Sequence, residues 1–135
     1  RIPAPSFGMP RAHAGAVGVR NYRDLFAWQT AVSLKSLVVR LVMESVAARN
    51  DFRYRSQILA ACQSISANIV EGFLRCNRGD FARFLDYAIA STGEVEQRLR
   101  DGIELGYFSE ADCSEAFRLA RLCMTACIRL KKAQK

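Results

Sequence analysis

Between Ser56 and Phe73 the chain places an apolar residue every three or four positions: Ile58, Cys62, Ile65, Ile69 and Phe73. At 100° per residue these fall on one face of a helix. Gln57, Ser64, Asn68, Glu71 and Arg75 align as well, on a narrow polar stripe about 100° away. A helix built this way has two things to face. One is its own core; the other is a partner, a ligand or water.

The same period recurs on both sides of this stretch. Asn21-Tyr22-Arg23-Asp24 opens a helix with Asn21 as cap, and the pattern runs on to about Ala48. Its core face is Ala27, Ala31, Leu34, Val38 and Leu41, widened by Leu37 and Val42, with Trp28 as a packing anchor at the edge. Arg49-Asn50-Asp51 interrupts the pattern and caps a second helix from about Phe52 to Cys76. Gly72 sits inside that helix, where glycine costs ~1 kcal/mol relative to alanine, so a neighbour is expected to approach its backbone closely. A turn at Asn77-Arg78-Gly79-Asp80, with Asp80 as cap, leads to a third helix. Its core stripe is Phe81, Phe84, Leu85, Ala88, Thr92, Val95 and Leu99, and Tyr87, Ser91, Glu94 and Arg98 form a polar stripe on its flank. Gly106 is expected as a left-handed cap, and Ser109-Glu110-Ala111-Asp112 as the capping box of a fourth helix. That helix turns Ala116, Leu119, Ala120, Cys123, Cys127 and Leu130 inward.

No strand signal competes, so the fold class is all-α: an antiparallel up-down-up-down four-helix bundle over residues 21–135. Residues 1–20 hold all three prolines and no apolar periodicity, and read as a flexible basic arm or a start-site artefact. The chain of 135 residues fits one domain. No run approaches the ~18 apolar residues of a membrane span. The opening residues lack the apolar core of a signal peptide, and the missing initiator Met is expected of a trimmed or partial chain. The five cysteines, most at core positions, read as buried thiols of a reducing cytosol rather than a disulfide framework.

The net charge of +7 is uneven. Arg1, Arg11 and Arg20 give the arm +3 with no acid, while residues 21–113 hold 11 basic against 12 acidic side chains, or −1. Residues 114–135 set six basic side chains against Glu115, or +5. Such asymmetry points to an anionic partner. Arg118, Arg121, Arg129 and Lys132, with Thr125, share one outward stripe of the last helix, four cations without an intervening acid. They are the candidate nucleic-acid contacts. Lacking interleaved aromatics, the stripe is expected to hold phosphates without reading bases.

Catalysis finds no support. A di-metal bundle site wants Glu-x-x-His pairs, and the only histidine, His13, lies in the arm. Glu71, Glu94 and Glu96 lack a nucleophile partner, and no glycine-rich phosphate loop exists. Cys123 and Cys127 are one turn apart, but tetrahedral zinc would lack further ligands. No catalytic, cofactor or metal site is therefore expected. The two polar stripes, Gln57, Ser64, Asn68, Glu71 and Arg75 with Tyr87, Ser91, Glu94 and Arg98, are expected to meet each other or a neighbouring subunit. Arg75 and Arg98 are natural partners for the glutamates. Two functions follow: nucleic-acid binding through the last helix, or a homo-oligomeric scaffold that binds another protein.

From Tyr22 to about Ile128 the chain resembles the four-helix-bundle family of the 23S ribosomal RNA intervening-sequence proteins. The resemblance rests on Asp24-Leu25-x-x-Trp28-Gln29, Gln57, Ser64-Ile65-x-x-Asn68-Ile69-x-Glu71-Gly72, Phe81-x-x-Phe84-Leu85, Ser91-x-x-Glu94-x-Glu96 and Leu105-Gly106-Tyr107. It departs at Ser66, where the family has proline, at Leu59-Ala60 in place of an arginine pair, and at Leu74-Arg75 in place of Gly-Arg. The two lost arginines weaken the case for RNA binding by this region. The resemblance implies a cytoplasmic bacterial protein assembling as a homopentameric ring, with no established catalytic activity. An RNA-related role is implied by where the founding genes lie. A similar basic pentameric bundle works with a reverse transcriptase in diversity-generating retroelements, a parallel of fold and assembly only.

Overall fold

Asn21 and Asp51, each at the start of a turn, set how the chain enters its first two long helices. The computed structural model describes residues 19–75 and 77–134; the expected arm lies almost wholly outside these residues, as do Cys76 and Lys135. Asn21 accepts a hydrogen bond from the Arg23 N–H at 2.9 Å, but it caps a 3-10 turn over Tyr22–Asp24. Leu25 then turns extended, and α1 spans Phe26–Glu44. The expected single helix to Ala48 is thus corrected at both ends. Ser45 breaks it, because its hydroxyl accepts from the Ala48 N–H at 3.2 Å and starts a separate short α2, Val46–Asn50. The break leaves Ala48 fully buried in the core, as Val42 is, while Leu41 is only half-buried.

α3 spans Phe52–Leu74, capped by Asp51, which accepts from the Tyr54 N–H at 3.1 Å. It ends two residues short of Cys76 because Arg75 is already extended. α4 spans Arg78–Glu104 and its cap is Asn77, not Asp80: the Asn77 side chain accepts from the Asp80 N–H at 2.8 Å. Asp80 sits instead in the first turn, where its charge favours the positive end of the helix. Gly106, at φ +80°, ends this stretch as expected, with Tyr107 N–H returning to the Gly102 carbonyl at 2.8 Å. α5 spans Glu110–Lys132 behind the Ser109/Asp112 capping box.

The described residues form five α-helices and no strand. α3 and α4 make the broadest contact; α5 packs on both α4 and α1, and α1 closes against α3. Rising positions on α3 meet falling positions on α4: Tyr54 donates to the Arg98 carbonyl, Ser64 pairs with Ser91, and Gly72 lies against Phe84. Asp86 and Arg100 of α4 likewise reach Lys131 and Glu110 of α5. The core is continuous, with Phe73, Phe81, Leu34, Ile58, Ile65, Ile69 and Leu99 fully buried. Phe73 and Phe81 meet edge to face at 6.0 Å, worth about 0.5–1.5 kcal/mol beyond the area they bury. A methyl on Gly72 would sit 2.8 Å from Phe84 Cβ and 2.9 Å from Phe81 Cδ1, the close approach expected of this glycine. Trp28 is half-buried and packs on Tyr22 at 5.5 Å. Among the described residues no helix is long and apolar enough to cross a membrane.

Candidate nucleic-acid interface

Small side chains decide how close α5 lies to the rest of the fold. Its inward face is Cys113, Ala116, Ala120, Cys123 and Cys127, all fully buried, and the Cys123 thiol donates to the Ala27 carbonyl at 3.6 Å. Leu119 and Leu130, expected inside, are half-buried at the edge of this face. Burial pushes the Cys62 thiol up to about 12 and the Cys113 thiol up to about 11. Among the described residues no three His, Cys, Asp or Glu side chains gather as a metal site would require.

The opposite face of α5 carries Arg118, Arg121, Thr125, Arg129 and Lys132, all exposed. Their charges are not equivalent. Arg118 donates to both Glu115 oxygens at 2.8 and 2.6 Å, so the stripe is not free of acid: one of its four cations is neutralised three residues away. The hydrogen bonds from Arg118 hold the Glu115 carboxyl below its usual range, and Glu115 in turn raises Arg118. Neighbouring Lys131 is tied to Asp86 at 2.7 Å. Arg121, Arg129 and Lys132 have no carboxylate partner among the described residues. Arg129 and Lys132 also sit in the last turn, where unsatisfied carbonyls favour cations.

Arg121 and Arg129 border an open groove of about 520 Å³ between α5 and the first turn of α1. Its walls are apolar: Leu25, Phe26 and Ala27 from one side, Leu122, Ala126, Leu130 and Ala133 from the other. Phe26 is 56% exposed there. An aromatic from a different helix therefore lies beside the stripe, which itself has none interleaved. The available signal was a phenylalanine one position before the Ala27 stripe, on the outward side of α1. A smaller cleft alongside is lined by Ser114, Phe117, Arg118, Arg121 and Leu122.

The two polar stripes lie along the α3–α4 seam, apart from this groove. Ser64 and Ser91 hydroxyls hydrogen-bond across it at 2.8 Å, and the Asn68 amide donates to the Ser64 carbonyl at 2.7 Å and hydroxyl at 3.0 Å. Arg75, just past the end of α3, pairs with Glu71 at 3.0 Å and lies over the Phe84 ring. Arg98 pairs with Asp101 at 3.2 Å, a carboxylate the sequence reading had not included, and with Glu94 at 3.9 Å. Gln57 is half-buried, and Tyr87 is half-exposed with its ring edge-on to Phe84. The seam brings Ser64, Asn68 and Ser91 together; Glu71 and Glu94 instead pair with the arginines four residues further along the chain.

No curated protein matches the chain. A family model described as 23S rRNA-intervening sequence protein matches residues 23–126, from the turn before α1 to the last third of α5. The match takes in most of the chain, and the chain therefore belongs to the 23S rRNA-intervening sequence protein family.

Proposed function

We propose that the chain is a non-enzymatic, cytoplasmic, homo-oligomeric protein that binds RNA through the basic outer face of α5. The observation that carries this is the pair Arg121 and Arg129: exposed, without a carboxylate partner among the described residues, and in the part of the chain with the largest excess of cations. Free guanidinium groups on a rigid helix gain by releasing the counterions of a phosphate backbone. The fold we propose for the whole chain is an antiparallel up-down-up-down four-helix bundle, with α1 and α2 acting as one broken helix. The opposed numbering of the α3–α4 and α4–α5 contacts supports it. We further propose assembly as a homopentamer, which would repeat the α5 face fivefold and let a weak site act by avidity. Light scattering on the native chain is expected to give about five times 15.1 kDa, and a monomer at micromolar concentration would remove the assembly.

The test is filter binding of RNA at two salt concentrations. Wild type is expected to lose affinity steeply as salt rises, and Arg121→Glu/Arg129→Glu to abolish retention while leaving the helical signal intact. Flat, weak binding by wild type ends the reading. A second reading, a scaffold that docks another protein, is favoured by Val46 and Phe52, which are 61% and 70% exposed around the α2 turn. That function is expected to survive the Arg121/Arg129 reversal.

A further inference from the structure

Phe26 is the feature of the α5 groove that phosphate binding does not use. More than half of this side chain is open to solvent, and among the described residues its ring stacks on no other ring. A large apolar side chain held exposed beside unpaired cations suits a ligand with both a flat apolar surface and negative charge. The groove supplies both in one place: Phe26, Leu122 and Ala126 along its walls, and Arg121 and Arg129 at its rim. The two arginines are eight residues apart, or about 12 Å along the helix, and so flank rather than fill the groove.

The first turn of α1 adds to the field. Its capping residue, Leu25, has no side-chain acceptor to offer, and Leu25, Phe26 and Ala27 at this uncapped start of α1 line the groove. That is the positive end of a 19-residue helix. Paired cations elsewhere on α5 define the site by contrast. Arg118 is held by Glu115 and Lys131 by Asp86, leaving free charge concentrated around the aromatic.

We infer that this groove takes an unpaired nucleobase of single-stranded RNA, stacked on Phe26, with the flanking phosphates on Arg121 and Arg129. The inference rests on the RNA-binding reading above and narrows its ligand to single strands. The internal bases of a duplex cannot use the platform, because their faces are already stacked on one another, which leaves only the two end pairs. A single strand offers a face at every residue, so the preference is for strandedness and not for sequence.

The experiment is fluorescence polarisation of the full chain with a labelled ten-nucleotide oligoadenylate and with a blunt RNA duplex of the same length. Wild type is expected to prefer the single strand. Phe26→Ala is expected to weaken single-strand binding about 5- to 150-fold, the effect of losing one stacked base, with an unchanged slope of affinity against salt because no charge is removed. Phe26→Trp is expected to restore or exceed wild-type affinity. Circular dichroism checks that both variants keep their helices, as an exposed position should. Equal or better binding of the duplex, or a Phe26→Ala affinity equal to wild type, overturns the stacked-base site while leaving salt-dependent phosphate binding in place. Absence of salt-dependent binding to either probe removes the RNA reading itself, and this site with it.

Discussion

The phenol of Tyr107 donates to one carboxylate oxygen of Asp51 while the other accepts the Tyr54 N–H, so a single side chain joins the start of α3 to the turn after α4. The Tyr107 ring also lies edge-on to Tyr54 at 5.1 Å. The hydrogen bond from Tyr107 is the largest reason the Asp51 carboxyl is held below its ordinary range, with the Tyr54 N–H second. A carboxyl depressed in the folded state contributes stability above its unfolded pKa, about 4, and loses it as pH falls through the folded value. Tyr107→Phe is accordingly expected to lower the melting temperature at pH 7, with the deficit shrinking as the pH approaches 3. A deficit that does not change with pH would mean that ring packing, and not the Asp51 bond, accounts for it. The bond also raises the Tyr107 hydroxyl, whose contribution is complete below its unfolded value near pH 10 and disappears as pH rises through the folded one.

Gly72 and Gly93 are both helical glycines and are expected to respond oppositely to an added side chain. A methyl at Gly72 meets Phe84 Cβ and Phe81 Cδ1 below 3.0 Å, whereas one at Gly93 meets nothing within 4 Å. Gly93→Ala should gain most of the ~1 kcal/mol propensity difference. Gly72→Leu should lose about 1–3 kcal/mol by overpacking, despite its better propensity. Denaturant midpoints of the two variants measure this, and a Gly72→Leu midpoint at or above wild type contradicts the packing argument.

Burial sets the chemistry of the thiols. Cys62, Cys113, Cys123 and Cys127 are all fully buried, with Cys62 and Cys113 pushed up by loss of solvent. A thiolate is the reactive form, so these four should react with an aromatic disulfide reagent at pH 8 only as fast as the fold opens. At most one of the five thiols is then expected to react in the fast phase. Two or more fast thiols per native chain contradict the burial.

The helices were legible because their apolar stripes are long and their caps are local: Asp51, Gly106 and Ser109 act within a few residues of where they stand. Two boundaries turn on polar residues that periodicity alone passes over. Ser45 and Asn77 each capture a backbone N–H that a periodicity argument assigns elsewhere. The candidate site was half legible for a different reason. A stripe on one helix can be projected from sequence, so the exposure of Arg121 and Arg129 was foreseeable. That Phe26 and Arg121 share a groove depends on how α1 lies against α5, which no local pattern contains. Gly102 went unremarked for the same reason: the crowding there comes from Tyr54 and Phe108, neither of them on α4.

The pairing of Arg118 with Glu115 makes a last expectation specific to the electrostatics of α5. With both oxygens of Glu115 engaged, Arg118 adds almost no net charge to the stripe. Glu115→Gln removes the acid, leaves the helix surface otherwise similar, and frees a third arginine on the face that carries Arg121 and Arg129. If that face binds single-stranded RNA through phosphates, affinity should rise, and the slope of log K against log salt should steepen by about 0.7, the value for one more neutralised phosphate. Glu115→Gln/Arg118→Gln restores the native net charge and should return both affinity and slope to wild type. The pair of variants separates charge from shape, since both alter the same exposed turn of α5. An unchanged salt slope in Glu115→Gln would show that RNA does not reach Arg118, and would confine the phosphate contacts to the Arg121–Arg129 end of the helix.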